Sequence, residues 1–392
     1  MIKVSITKCN NYNIDNLTDS ISQCINNLGG ILNYVQPQET ILLKPNLLSD
    51  HTPDRAVTTH PEFVRAIVKL LKNNKVTPII CDGPSTINVE KVYQTTGMEK
   101  IAREENIKLV NLSDYKINEY IPQKFVFSNI SKIYISDIIN QVDGIISLPK
   151  LKSHSLVTVT FGIKNLYGLV PGLIKSDYHR FLHNPVNFVK LLVEILYIIK
   201  PKLRLTVIDG IVGMDKEGPA NGRVRNIGII GASEDTVALD TVLCSMINLN
   251  PDTVPLLRFC KEKNLGETDY KNIDVLGNKV KIENFILPQT HITNYIPEFT
   301  AKFLLRFIWW KPVIVNKKCM KCLKCIEICP QKTIKKESKK VKIYQKNCIS
   351  CFCCNEICPY GAIKIKFSPL MNLYYFFVSI KNKIKNFLGK KH

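Results

Sequence analysis

CMKCLKCIEICP (residues 319–330) and CISCFCCNEICP (residues 348–359) are two cysteine runs with the same spacing, C-x2-C-x2-C-x3-C-P. Three thiolates at this spacing can hold three corners of an iron–sulfur cube. The fourth must come from elsewhere, because the run is too short to close around the cube alone. Zinc ribbons use two separated C-x2-C pairs instead. The doubled run therefore predicts two [4Fe-4S] clusters rather than a pair of zinc sites.

When two such runs fold together, the last cysteine of each run ligates the other cluster. Cluster one would then be bound by Cys319, Cys322, Cys325 and Cys358, and cluster two by Cys348, Cys351, Cys354 and Cys329. Cys353 is left over, and we interpret it as a non-ligand, with a spare ligand or a redox-sensitive thiol as the open alternative. Residues 316–366 resemble a bacterial-type ferredoxin with two four-iron clusters, which is a small α+β fold.

The positive charge of the chain is concentrated near these clusters. The 392 residues carry a formal charge of +21, and residues 316–392 hold 18 lysines, no arginine and three acidic residues. Four lysines flank the first run, namely Lys317, Lys318, Lys321 and Lys324. They would stabilise the reduced, more negative clusters, or they would simply face solvent. Base readout favours arginine, so a nucleic-acid partner is not expected. An acidic redox protein is the expected macromolecular partner, and a small-molecule substrate is the alternative.

The rest of the composition is that of a globular protein, with 45% hydrophobic and 22% charged residues. Fourteen cysteines without a visible secretion signal argue against a disulfide framework. We expect a cytoplasmic, iron-containing protein from an anaerobic setting.

Residues 1–285 alternate apolar strand-like runs with helical patterns. The predicted strands are Ile41–Lys44, Pro78–Asp82, Lys108–Leu112, Gly144–Leu148 and Leu205–Ile208. The predicted helices are Pro61–Lys72, Gly97–Glu105, Asn184–Lys200 and Thr236–Ile247. Continuous apolar strands are buried on both faces, which is typical of a mostly parallel sheet flanked by helices. The fold class is therefore α/β, with the small iron–sulfur domain appended.

Two further segments complete the predicted organisation. Residues 286–315 are an apolar connector that we expect to pack the iron–sulfur domain, residues 316–366, onto the α/β domain. Residues 367–392 have apolar residues at helical spacing and a lysine-rich end, which predicts a basic amphipathic tail. The tail would dock on the protein itself, with a peripheral contact to anionic lipid or to an acidic partner as the alternative.

Polar side chains recur at the predicted strand ends, where open parallel sheets form their sites. The candidate catalytic residues are Lys44, His60, Lys152, His154, Lys164 and Asp209. Lysines and histidines of this kind can position or protonate an anionic substrate. Asp209, Asp215 and Glu217 could hold an additional divalent metal, but solvated loop charge is the simpler interpretation.

Residues 161–185, FGIKNLYGLVPGLIKSDYHRFLHNP, form the most unusual segment. Its glycines allow close backbone approach, and exposed amides with Lys164 and Lys175 could cradle a phosphate. His179 and His183 would share a helix face, which is one way to bind a metal, but a glycine-bent loop beside an ordinary helix is the simpler interpretation.

Seven motifs in order resemble the DUF362 family, a domain of unknown function. They are KPN (44–46), TTHP (58–61), DGP (82–84), PKLKSH (149–154), GIKNLYG (162–168), DGIVGMDKEGP (209–219) and GASEDTVALD (231–240). The resemblance covers about residues 40–250 and implies a fold rather than a reaction; such domains are often joined to ferredoxin modules. Residues 162–183 are also distantly similar to the N-terminal domain of nickel-pincer lactate racemases. That likeness implies that Lys164 would hold a nicotinate-derived nickel cofactor and that His179 or His183 would ligate nickel.

Together these observations predict an iron–sulfur protein whose clusters exchange electrons with a redox or metal-dependent reaction in the α/β domain, as in an iron–sulfur oxidoreductase. A non-catalytic electron-carrier subunit is one alternative. A non-redox metal or organometallic enzyme related to the nickel-pincer racemases is another.

Overall fold

The computed structural model describes residues 1–84, 86, 88–172, 174–182, 185–290, 309–338 and 340–373. Its strands are β1 (Ile2–Lys8), β2 (Thr40–Pro45), β3 (Thr77–Cys81), β4 (Lys108–Val110), β5 (Ile117–Tyr120), β6 (Ile133–Ser136), β7 (Gly144–Leu148), β8 (Lys150–His154), β9 (Thr158–Thr160), β10 (Leu203–Asp215), β11 (Arg223–Ser233), β12 (Ile273–Gly277), β13 (Trp310–Ile314), β14 (Ile334–Lys336), β15 (Val341–Ile343) and β16 (Ile363–Phe367). Its α-helices are α1 (Ile14–Asn26), α2 (Pro61–Asn73), α3 (Val89–Thr95), α4 (Met98–Glu104), α5 (Gly162–Asn165), α6 (Ile174–Phe181), α7 (Pro185–Ile199), α8 (Thr236–Met246), α9 (Pro255–Glu262), α10 (Lys324–Glu327) and α11 (Cys353–Ile357).

A mainly parallel sheet forms the centre of the α/β body. Its strand order in the described residues is β12-β1-β11-β10-β7-β2-β3-β4, and β8 adds to β10 and pairs with β9. The pairs β10/β7, β7/β2, β2/β3 and β3/β4 are parallel, whereas β11 runs antiparallel to both of its neighbours. The carboxyl ends of β2, β3 and β7 therefore meet at one edge, as the sequence predicted for a sheet of this class.

The sheet separates two apolar cores because successive side chains of a strand point to opposite faces. On β2, Leu42 faces the core packed by α7, α8 and α9, while Ile41 and Leu43 face the core packed by α1, α2 and α4. All three side chains are fully buried. Burial on both faces explains why the strand is a continuous apolar run rather than an alternating one.

Strand β10 extends seven residues beyond the predicted strand Leu205–Ile208. The apolar run ends at Asp209, but the ladder continues to Asp215 with a bulge between Gly210 and Val212. Asp209 is tolerated at a fully buried position of the strand because Lys150 neutralises its carboxylate and both Lys150 and Tyr12 donate hydrogen bonds to it. Asp209 and Asp215 thus lie inside the strand, and the predicted strand-end segment Lys150–His154 is itself strand β8.

The C-terminal module is a small strand and helix unit of the ferredoxin kind. Strand β13 pairs antiparallel with β16, and β14 forms a hairpin with β15. The short helices α10 and α11 each follow the second cysteine of a run. Strand β13 begins at Trp310, inside the segment predicted as a connector, because its residues 310–314 pair with β16 from Phe367 back to Ile363.

Parts of the connector and tail predictions fall on residues 291–308 and 374–392, which lie outside the described residues. Within the described ranges, no helix is both long and apolar enough to cross a membrane.

Candidate functional site

The two predicted cysteine sets surround two separate cavities in the C-terminal module. One cavity is lined by Cys319, Cys322, Cys325 and Cys358, and the other by Cys329, Cys348, Cys351 and Cys354. Each cavity thus receives three sulfurs from one run and the fourth from the other. Apolar side chains such as Val341 and Ile343 complete the walls. Four soft thiols in an apolar shell fit a four-iron cluster.

The two runs fold in the same way. Lys321 and Leu323 have left-handed backbone angles (φ 56° and 66°), as do Ser350 and Phe352 at the matching positions of the second run (φ 53° and 63°). This conformation is unfavourable for bulky side chains, so its repetition indicates that the loop shape is required. A tight wrapping of the backbone around each cavity is the structural reason.

Each fourth cysteine also accepts a backbone hydrogen bond from the residue four positions later. Thr333 N donates to Cys329 Sγ at 3.4 Å, and Ala362 N donates to Cys358 Sγ at 3.3 Å. Hydrogen bonds to ligand sulfurs stabilise their negative charge and raise the reduction potential of a cluster. The fourth cysteine of each run therefore has the same backbone hydrogen bond to its sulfur.

The module is fastened to the α/β body by polar contacts. Lys324 Nζ lies 2.5 Å from Asp50 Oδ2, and Asn221 Nδ2 donates to Asn355 O at 2.7 Å. A β-carbon at Gly361 would lie 2.9 Å from Asn221 Oδ1, so the Asn221 side chain packs directly on this glycine. These contacts hold helix α11 against the sheet edge where β2 and β3 end.

A cavity lies between the two parts at this junction, and we call it the lysine cavity. Its polar wall comes from the α/β body and includes Lys44, Asp82, His154, Lys164 and Lys175. Its other wall comes from the module and consists of Ile328, Cys353, Glu356 and Ile357. The site is therefore composite, because neither part encloses it alone.

At the base of the cavity, Lys44 is fully buried and paired with Asp82. Its Nζ lies 2.8 Å from Asp82 Oδ1 and 2.9 Å from Pro45 O. Asp82 Oδ2 also accepts from Leu47 N at 2.6 Å, which fixes the carboxylate. Gly168 packs directly over this pair, since a β-carbon there would collide with both charged groups.

Two asparagines extend the polar network from Lys44 towards Lys152. Asn165 Nδ2 donates to Lys44 O and to Ser147 Oγ, both at 3.0 Å. Lys152 Nζ lies 2.8 Å from Asn46 Oδ1 and also donates to Val57 O. Burial is the main reason that the pKa of Lys152 falls to about 7, and nearby Lys164 lowers it further.

Lys175 and Lys164 enter from the glycine-rich segment 161–185. Lys175 is buried, donates to Gly83 O and lies 3.4 Å from Gly168 O. Burial lowers the pKa of Lys175 to about 7. Lys164 Nζ lies 4.8 Å from the centre of the Tyr167 ring and has no hydrogen-bond acceptor among the described residues. Burial also lowers the pKa of Lys164.

His154 faces the module across the cavity. Its Nδ1 accepts from Leu156 N at 3.1 Å, so Nε2 carries the proton of the neutral ring and lies 3.6 Å from Glu356 Oε1. Burial, with Lys164 and Lys152 nearby, holds the pKa of His154 well below its usual range. At neutral pH the contact therefore joins a neutral imidazole to Glu356 rather than two ions.

The structure separates the six candidate catalytic residues into two groups. Lys44, His154 and Lys164 line the lysine cavity, and Lys152 reaches its lining residue Asn46. His60 and Asp209 lie in a different cluster.

That second cluster consists of Tyr12, His60, Lys150 and Asp209. Asp209 accepts from Tyr12 OH at 2.8 Å, Lys150 Nζ at 2.7 Å and His60 N at 3.0 Å. The His60 ring stacks on Tyr12 at 3.6 Å, and its Nδ1 caps α2 by accepting from Glu62 N. These hydrogen bonds join the polar groups of the cluster to one another and to α2, which is typical of a structural network.

The residues proposed for an additional metal have other partners. Asp215 binds Arg223 at 2.6 Å and Arg225 at 3.3 Å, and Glu217 accepts from Gln289 N. His179 is buried and stacks on Phe188, whereas His183 lies outside the described residues. Within the described ranges, no three His, Cys, Asp or Glu side chains are grouped so as to hold a single metal ion. An additional metal therefore stays a prediction.

Sequence reasoning missed the contribution of Cys353 and Glu356 to the lysine cavity. Cys353 and Glu356 follow Lys164 by 189 and 192 residues, and the docking of α11 brings them together with it. Asn46 and Asp82 could be predicted as site residues, because each directly follows the last residue of a buried strand.

The fold and site define a class, namely an α/β protein joined to an iron–sulfur module. The sequence profile of DUF362, a domain of unknown function, matches residues 41–245, and that of the 4Fe-4S dicluster domain matches residues 311–359. The chain belongs to the DUF362 family and carries a 4Fe-4S dicluster domain.

A thylakoid-associated protein of Synechocystis sp. is 31% identical over 293 residues, which cover 74% of this chain and 89% of that protein. Among solved structures, the lactate racemase apoprotein from Thermoanaerobacterium thermosaccharolyticum aligns with a TM-score of 0.38 at 16% identity. The alignment covers 60% of this chain and 54% of that chain, so it spans about half the length of the racemase. A likeness of this degree says nothing about the reaction.

Proposed function

We propose that the chain is an iron–sulfur oxidoreductase that holds two [4Fe-4S] clusters and passes electrons from them to a ligand in the lysine cavity. The observation that carries this proposal is the shared wall. Cys353 and Glu356 line the cavity and lie in the same run as Cys351, Cys354 and Cys358, which bind the clusters in our assignment. A ligand in the cavity would therefore be next to cluster two.

Exposure gives the two clusters different roles. Cys322 of the first set is exposed and Met320 beside it is 67% exposed, whereas Cys354 of the second set is buried. Lys317, Lys318 and Lys321 are exposed around the first set. We infer that electrons enter at cluster one from an acidic redox protein and leave at cluster two towards the cavity.

We further propose that residues 1–285 and 316–366 act as two modules and that the protein works in the cytoplasm, in contact with a membrane surface. The name of the thylakoid-associated relative and the exposed lysines of the module support the membrane contact.

The first test is anaerobic purification followed by iron analysis and electron paramagnetic resonance. We expect about eight irons per chain and two magnetically coupled reduced clusters. About four irons per chain would refute the assignment of two clusters.

The second test measures electron entry at cluster one separately from electron use in the lysine cavity. Lys317, Lys318 and Lys321 would be changed together to Gln, with the exposed lysines Lys335 and Lys342 as matched controls. We expect the triple variant to be reduced more slowly by an acidic donor such as flavodoxin, with normal reduction by dithionite and a weaker salt dependence.

The electron-carrier alternative has a different signature. A carrier would exchange electrons with protein partners at both ends, and no small ligand of the lysine cavity would reoxidise the reduced clusters. Reoxidation of the reduced clusters by a small ligand, slowed by Lys164→Met, would favour the oxidoreductase.

A further inference from the structure

The lysine cavity contains more buried positive charge than its own residues neutralise. Lys44 is matched by Asp82 at 2.8 Å. Lys175 donates only to the carbonyls of Gly83 and Gly168, and these neutral acceptors leave its charge without a counter-ion.

Lys152 is in the same situation, because in the part of the chain that the structure describes it donates to the neutral oxygens Asn46 Oδ1 and Val57 O. Lys164 has no acceptor among the described residues. Glu356 is the one remaining carboxylate in the cavity wall in the part of the chain that the structure describes. Lys164 and Lys175 of the cavity and the neighbouring Lys152 thus share one carboxylate. Burial is the main reason that the pKa values of Lys152 and Lys175 fall to about 7.

The cavity is also small. The space open to the centre of a water molecule is about 60 Å³. One water needs roughly 10–15 Å³ by this measure, so the cavity accommodates about four to six non-hydrogen atoms. A nucleotide or a large cofactor would extend beyond this enclosed space, whereas a short carboxylate or a phosphate ion fits within it.

The two walls differ in a way that sets orientation. The α/β wall offers the amines and the amide groups of Asn46 and Asn165, while the module wall offers Ile328, Ile357, the thiol of Cys353 and the carboxylate of Glu356, which repels an anion. A ligand with a charged end and a short apolar body matches this division, with its charged end held away from the module.

We propose that the lysine cavity binds a small oxyanion of about four to six non-hydrogen atoms and that Lys164 is its principal contact. This proposal rests on the proposed function in one respect, because it takes the cavity as the place where electrons from the clusters are used. The binding itself does not require electron transfer.

The test is anaerobic isothermal titration calorimetry on the full chain with its clusters, at low ionic strength. The probes are acetate, pyruvate, inorganic phosphate and the oversized anion citrate. We expect one saturable site per chain for at least one small probe and at least tenfold weaker binding of citrate. Binding of the carboxylates alone would identify a carboxylate site, and binding of phosphate alone a phosphate site.

Lys164→Met should weaken the binding of the small probe at least tenfold, and Lys175→Met provides a second, independent loss. The matched control is Lys190→Met, since Lys190 lies over the Phe125 and Phe259 rings outside the cavity. Iron content and circular dichroism of each variant would establish that it folds.

The proposal is overturned if no small probe binds the wild-type chain saturably, if citrate binds as tightly, or if Lys164→Met and Lys175→Met both bind as the wild type does. Normal clusters without anion binding would refute this inference alone. Anion binding that leaves both cluster potentials unchanged would instead refute the electronic contact in the proposed function.

Discussion

At pH 8, replacing Glu356 with Gln should raise the reduction potential of the proposed cluster two, because it removes a negative charge beside a group that becomes more negative on reduction. Burial raises the pKa of Glu356 to about 7, so the carboxylate is ionised at this pH. Glu356 is largely buried in the wall of the lysine cavity, with its side chain 15% exposed. It lies two residues after Cys354, so its Cα is within about 7.6 Å of that ligand's Cα.

The magnitude follows from Coulomb's law. Two unit charges about 10 Å apart at an effective dielectric constant of about 20 interact by about 1.7 kcal/mol. A tenfold change in a one-electron equilibrium corresponds to about 59 mV and 1.4 kcal/mol, so the expected rise is about 70 mV. Lys164→Met removes a positive charge from the same cavity and should shift the potential in the opposite direction.

The chain supplies a matched control in Glu327, which occupies the same position in the first run but is exposed. At the dielectric constant of water the same separation gives about 0.4 kcal/mol, or about 20 mV. The assay is an anaerobic redox titration at pH 8 followed by electron paramagnetic resonance. Equal shifts for Glu327→Gln and Glu356→Gln, or no shift for Glu356→Gln, would refute the placement of Glu356 in a low-dielectric junction beside cluster two.

Three further predictions concern the cavity and its neighbours. Gly168→Ala should displace the Lys44–Asp82 ion pair beneath it. Because breaking a buried pair costs about 3–5 kcal/mol, the melting temperature should fall by roughly 5–10 °C. The control Gly172→Asn, at a position with nothing within 4 Å of the added carbon, should be nearly neutral, and equal effects of the two changes would contradict the packing argument. Cys353→Ser should retain the full iron content if the residue is a non-ligand, so a loss of about half of the iron would identify it as a ligand. Oxyanion affinity should decrease as the pH rises through about 7, because the lowered pKa values of Lys152 and Lys175 mean that their positive charge is lost there, and constant affinity from pH 6 to 9 in calorimetry would contradict this.

Much of the fold could be predicted from local patterns. The strand around Ile41 is a continuous apolar run because both of its faces are buried, and α2 begins at Pro61 because proline is favoured in the first turn. The pairing of the cysteine sets could be predicted because a short run leaves one corner of a cluster open. These features depend on spacing within a few residues, which the sequence displays directly.

The features that local patterns did not reveal depend on distant partners. Strand β10 continues through Asp209 because Lys150 and Tyr12 satisfy the carboxylate, and no pattern around residue 209 records this. His60 follows the same logic, because its polar ring serves the start of α2 rather than the cavity. The composite wall was beyond local reasoning because it requires α11 to dock on the sheet edge.

The matching loop shapes of the two cysteine runs, which lie 29 residues apart in register, have a consequence for the integrity of the module. Each half provides three of the four cysteines around one cavity and the fourth cysteine around the other, so neither half closes a set of four alone. Damage to one run would therefore open both cavities. The two halves differ where they meet the α/β body, because position 324 is a lysine that anchors the module to Asp50 and its counterpart at position 353 is the thiol that faces the lysine cavity.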